Sequence, residues 1–215
     1  MAKFTEMSVQ QRAPDEILHP DSRALFRFWE SVRGESSTAH RNDIDLRHIK
    51  DLLPWIAILE RHPLKPEYKW RLAGTSVCKI WNQDLTGGQF MADWDNFERD
   101  TVCRLMDNVI ASHQPCVARF KAVYDDGEML GIEMLSLPMT AANQRSTQVL
   151  ASVVPFRMPY WLGENNIDQL ELSSVKMIWT EHSSRSPRHL PDVARERRTP
   201  SAKPLFRVID GGRKN

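Results

Sequence analysis

Hydrophobic positions change their spacing several times along the chain, and the order of those changes predicts its elements. In "SRALFRFWESVRG", Leu25, Phe28, Trp29 and Val32 recur at helical intervals. Asp21 stands where an N-cap belongs and Gly34 where a helix can stop, which predicts an amphipathic helix over 22–33. A shorter helix is expected within "DIDLRHIKDLLP", capped by Asp45, with Ile49, Leu52 and Leu53 on one face and Pro54 closing it. "WIAILER" (55–61) and "YKWRLAG" (68–74) read as strands flanking the turn-rich "HPLKPE". Tyr68, Trp70 and Leu72 fall on one face and Lys69 and Arg71 on the other, as in a half-buried antiparallel strand.

Past Gly74 the spacing turns helical at Val77, Ile80 and Trp81, with Thr75 as the expected cap, and it breaks at Asn82 and at Gly87-Gly88. The longest helix is expected over 95–113, where Val102, Leu105, Met106, Val109 and Ile110 form a stripe and Asp95 with Glu98 resembles a capping box. Three β segments follow, over 115–124, 128–139 and 146–158. The first two meet at Asp125-Asp126-Gly127, where Gly127 can supply a positive φ. Residues 169–179 read as one more strand packing on the sheet. Residues 1–20 are expected to be flexible, and residues 182–215 to be a disordered basic tail too polar to bury a core. That tail ends in an apolar island of Leu205, Phe206, Val208 and Ile209.

Two strands, a helical crossover and three further strands do not alternate as a doubly wound parallel sheet requires. They predict an α+β domain with a five-stranded antiparallel sheet, a helical crossover over one face, and N-terminal helices. This order resembles the PAS fold. "LFRFWESVRG", "DIDLRHIKDLLPWIAILE", "YKWRLAGTSVCKIWNQDLTGGQF" and "GIEMLSLPM" are similar to successive motifs of the single-domain PAS proteins widespread in alphaproteobacteria. The matching positions are Arg71, Leu72, Gly74 and Thr75 at the end of the second strand; Asp84, Leu85, Thr86 and Gly87 in the crossover; and Glu133, Leu135, Leu137 and Pro138 later on. Where that family usually carries a glycine before the acidic residue, Asn82-Gln83 stand here. The resemblance implies a PAS domain over 21–160, with 161–181 as an extension.

Charge adds an asymmetry. The net formal charge is +1, yet the segment from His182 onward carries nine Lys and Arg against three Asp and Glu, leaving about −5 on the rest. No run of 18 apolar residues occurs and the first residues lack the apolar centre of a secretory signal, so a cytoplasmic protein is expected. The three cysteines, Cys78, Cys103 and Cys116, are odd in number and scattered, as small buried side chains are rather than a disulfide framework.

Catalytic signatures do not appear in the sequence. Gly74 to Gly88 contains neither GxGxxG nor GxxxxGK[ST], and no GxSxG nucleophile elbow occurs, so the chain is read as a non-enzyme. His113 and Cys116 form a conceivable ligand pair, but no second pair with metal spacing accompanies them. The PAS resemblance raises haem and flavin as cofactors. The flavin motif Asn-Cys-Arg-Phe-Leu is not present and the only axial haem candidate is His113 at a helix end, so both are disfavoured.

What the resemblance does imply is a site between sheet and crossover. Trp81, Phe90, Met106, Phe120, Tyr124 and Met134 either line an apolar ligand cavity there or fill the core. Function is then expected to be sensory or regulatory, through a regulatory protein partner, with a homodimer formed by the N-terminal helix. Leu205, Phe206, Val208 and Ile209 are the expected partner-binding segment, able to add to a sheet edge of another protein. The alternative is a nucleic-acid-associated regulator using the basic tail, although Arg195, Arg197 and Arg198 lack interleaved aromatics.

Overall fold

A computed structural model describes residues 13–92, 94, 96–140 and 147–180. The chain divides into units of residues 1–185 and 186–215, and the second lies wholly outside the described residues.

The first helix, α1 (Pro20–Arg33), begins earlier than expected. Pro20 occupies its first position, where a missing N–H costs nothing, and His19 rather than Asp21 is the cap, its Nδ1 accepting from Asp21 N. Gly34 ends it at φ 54°. The short β1 (Ala39–His40) and a 3-10 turn at Arg41–Asp43 follow. The second helix is a 3-10 segment, Leu46–Trp55, interrupted at Ile49. Asp45 caps it as expected, but Pro54 lies inside its last turn, since short 3-10 turns offer no long ladder for a proline to break.

Strands β2 (Ile56–Arg61) and β3 (Tyr68–Ala73) form an antiparallel hairpin. Leu59 faces Trp70 while Ile58 faces Leu72, so Arg71 is the extra residue of a bulge. That phase change corrects the sequence expectation: Tyr68 and Trp70 face one side, and Leu72 joins the core on the other. After α2 (Thr75–Ile80) and α3 (Asn96–Ser112) come β4 (Cys116–Tyr124), β5 (Met129–Thr140), β6 (Thr147–Pro155) and β7 (Ile167–Met177).

The sheet runs β3-β2-β6-β5-β4-β7, with β1 added in parallel beside the end of β5. Among the described residues it therefore has seven strands, not five. The five expected strands form a continuous block, β7 extends it beyond β4, and β1 takes the place next to β5 where β4 has ended. Since β3 and β4 lie far apart in the sheet, α2 and α3 carry the chain across one face to connect them.

Helices cover both faces, a second departure from expectation. On the crossover face, Leu59, Trp70, Phe120, Ile132, Met134 and Val153 pack beneath α2 and α3. On the opposite face, Ile58, Val117, Leu135, Leu137 and Leu150 pack against Ile17, Leu25, Phe26 and Trp29 of α1 and its lead-in. The cause is legible in β5: Met134 to Met139 are all buried, so apolar side chains leave both faces of that strand and each face needs a cover. Residues 13–19 belong to this structure, with Ala13 and Ile17 buried, although the sequence placed them in a flexible segment.

Candidate functional site

The space between the crossover and the sheet collects all six expected lining residues. Phe90, Met106, Phe120, Tyr124 and Met134 are buried in one cluster, and Trp81 packs against it partly buried. They arrive from five separate parts of the chain, with Phe120 and Tyr124 sharing β4. Trp81 caps the C-terminus of α2, Phe90 ends the loop that pairs along the edge of β3, Met106 comes from the inner face of α3, and the other three come from alternate positions of β4 and from β5.

Aromatic rings knit the two ends of this space. Trp70 meets Trp81 at 5.7 Å and Phe90 at 4.9 Å between centroids, both edge to face. Trp94 stands edge-on to Phe120 at 5.5 Å, and Trp161 to Tyr124 at 4.8 Å. Trp70, Trp94 and Trp161 were not anticipated as neighbours of the site. Trp70 carried the right alternation signal, whereas Trp94 and Trp161 sit in irregular segments that have no periodicity to read.

Polar groups in this core are few. The Tyr124 hydroxyl donates to Ile80 O at 3.0 Å, fixing α2 to the sheet, and burial pushes its pKa up. Trp94 Nε1 and Ser136 Oγ are buried without a hydrogen-bond partner. Ser136 lies opposite Cys116 and Ala151, which places it on the crossover face. Burial pushes the Cys103 thiol up to about 11 and the Cys116 thiol up to about 12. Both are therefore protonated and inert near neutrality, as the small-side-chain reading requires.

A polar triad closes the rim. Asp107 of α3 accepts from Arg61 Nε at 2.7 Å and from the Tyr68 hydroxyl at 2.6 Å, tying α3 to the β2–β3 hairpin. Burial alone would raise the Asp107 carboxyl, but the hydrogen bonds from Arg61 and Tyr68 outweigh it and hold the group below the usual range. Beside the triad, an open cleft of about 390 Å³ is lined by Glu60, Arg61, His62, Glu67, Lys69 and Gln89 among others. None of the six expected lining residues borders it.

The motif residues prove to be backbone devices. Arg71 is the bulge, and Gly74 is the cap of α2, so Thr75 is the first helical residue and not the cap. Thr86 N donates to Asp84 Oδ1 at 3.0 Å, closing an Asx-type turn. Gly87, at φ 85°, donates to Trp70 O, and Gly88 O accepts from Trp70 N, so the loop pairs along the edge of β3. Asn82 adopts φ 50° after α2, a left-handed conformation that asparagine tolerates better than most residues. Pro138 sits in β5 beyond the last rung of β4 and before the first of β1, where a missing N–H breaks no ladder. Its carbonyl accepts from Trp29 Nε1 at 2.9 Å.

His113 is exposed at φ 57° just past α3, and Cys116 is buried on β4; among the described residues no group of three His, Cys, Asp or Glu side chains is placed to hold a metal ion. Leu205, Phe206, Val208, Ile209 and Asp95 lie outside the described residues. No described helix is long and apolar enough to cross a membrane.

Sheet, crossover and enclosed apolar core place the chain among antiparallel α+β domains that hold a core between one sheet face and connecting helices. Residues 17–154, more than half of the chain, match the PAS domain family, and the chain belongs to that family. Membership points to a sensory or regulatory role. A comparison with curated proteins found no match.

Proposed function

We propose that this PAS domain is a regulatory module that works by binding rather than by catalysis. In this reading it engages a regulatory protein partner, under the control of a small, largely apolar ligand held between the crossover and the sheet. The observation that carries the ligand reading is the pair of unpartnered buried polar atoms, Trp94 Nε1 and Ser136 Oγ, in a core otherwise packed with aromatic and methionine side chains. Buried donors and acceptors left unsatisfied in a native fold call for a partner, and a small molecule with one or two polar groups supplies it. Met106 and Met134 give the walls the adaptability such a guest needs. Leu205, Phe206, Val208 and Ile209 fit a segment that adds to a sheet edge of another protein.

Native mass spectrometry with an absorbance spectrum of freshly purified protein tests the ligand. An added mass of a few hundred daltons or less, lost on denaturation, is expected. A bare chain mass, together with no thermal shift across a library of small apolar compounds, would sink the ligand-gated form.

A further inference from the structure

The outermost strand, β7, is paired on one side only: β4 runs along it, and among the described residues no strand runs along its other edge. Eleven residues make a long edge, and exposed edges invite pairing with another chain. Register on β4 fixes which side chains share a face. Met177, Val175, Leu172 and Leu170 stand opposite Cys116, Ala118, Phe120 and Ala122 on the crossover face. Lys176, Ser174 and Glu171 stand opposite Val117, Arg119 and Lys121 on the other. The phase changes at Ser173, the extra residue of a bulge.

We propose that this edge is a homodimer interface in which β7 pairs antiparallel with β7 of a second copy, about a two-fold axis between Ser173 and Ser174. The proposal rests on the reading of the protein as a module that acts through protein contacts, and it names one such contact. In this register Leu172 meets Val175 of the second copy, Leu170 meets Met177, and Glu171 meets Lys176. Each pair joins side chains of the same face, which strand pairing demands, and symmetry forms each pair twice. The two serines of the bulge meet at the axis, where they bring no bulk. Slipping the copies by two residues sets Lys176 opposite Gln169 and Glu171 opposite Ser174, so charge complementarity selects the first register.

The same charges guard the edge against unrelated strands, which would set no opposite charge across the new seam from Glu171 and Lys176. Trp179 supports the assignment. It is 78% exposed, yet its neighbours are fixed: Ile178 is buried and donates to Pro115 O, and Thr180 N donates to Gln114 Oε1 at 2.8 Å. A large exposed aromatic between two anchored residues at the end of an open edge strand is a natural anchor for a facing copy. By contrast, the α1 residues Leu25, Phe26 and Trp29 are already buried in their own domain.

Sedimentation equilibrium of the full chain tests this. A dimer is expected, with Lys176→Glu and Glu171→Lys each weakening it by about tenfold or more, because two symmetry-related pairs turn repulsive. The double reversal, Glu171→Lys with Lys176→Glu, is expected to restore the affinity. Both residues are exposed, so circular dichroism should show all three variants folded. A monomer at every concentration, a dimer indifferent to the single reversals, or a double reversal that fails to rescue would each overturn the proposal. Binding of a different protein by such a monomer would leave the regulatory reading standing.

Discussion

What Gly74 contributes is the lack of a methyl group. A Cβ built there would lie 2.3 Å from Pro54 O and 2.4 Å from Leu53 O, both backbone atoms that cannot swing aside. Its own N–H donates to Ile56 O at 2.8 Å, so the start of α2 is pressed against the 3-10 segment that precedes β2. Gly74→Ala is therefore expected to cost about 2–3 kcal/mol in urea denaturation, the scale of overpacking a rigid site. Gly87→Ala meets open space and carries only the left-handed backbone penalty, about 1–2 kcal/mol. Equal losses at the two positions would refute the close-approach account. The sequence marked Gly74-Thr75 correctly as a turn, but it credited Thr75 with a cap. Nothing local could reveal that a carbonyl twenty residues upstream occupies the space of a side chain. Leu72 failed for a similar reason: strict alternation assumes an even pleat, and the bulge at Arg71 is set by the register against β2.

At the scale of elements, one carboxylate joins α3 to the hairpin, and its charge makes that joint sensitive to pH. Asp107 has its carboxyl held below the ordinary aspartate value of 3.8 by Arg61 and Tyr68 against the cost of burial. A depressed folded value means that the stabilisation is complete above the ordinary value and is lost as pH falls through the lower, folded one. Asp107→Asn should thus lower the melting temperature at pH 7. The gap between wild type and variant should close as the pH drops below about 4. A gap that stays constant down to pH 2 would show that the side chain acts by shape rather than charge. The helix carrying Asp107 was legible to within a residue at each end, because its stripe is long and regular. The triad was not legible: Arg61, Tyr68 and Asp107 come from three elements, and no spacing connects them. That Trp81, Phe90, Met106, Phe120, Tyr124 and Met134 would gather between the crossover and the sheet could be foreseen because the PAS resemblance supplied the facing of the elements, which periodicity alone does not.

For the whole molecule, the consequence of a sheet covered on both faces is that the domain begins earlier than its first helix. Glu133 is fully buried on the α1 face, where its two carboxylate oxygens accept from Leu18 N at 3.0 Å and His19 N at 2.9 Å. Arg119 pairs with it at 3.1 Å and donates to Glu16 O as well. The segment before α1 is thus part of the charge balance of the sheet, while Ile17 fills the core beneath it. The sequence reading treated residues 1–20 as flexible because a stretch this short and mixed shows no period, and its role depends on a strand more than a hundred residues away. Two truncations separate the possibilities. A chain starting at Ala13 retains these contacts, whereas one starting at Pro20 leaves Glu133 and Arg119 without their backbone partners and opens a cavity where Ile17 sat. The longer deletion is expected to cost about 3–5 kcal/mol relative to the shorter, as for breaking a buried charged network. The two chains melting at the same temperature would mean that Glu133 is satisfied by Arg119 alone. A lower melting temperature, recovered in part when Glu133→Leu is added to the shortened chain, would show instead that the cost is an unpaired buried charge. That charge is what commits the lead-in to α1 to the sheet.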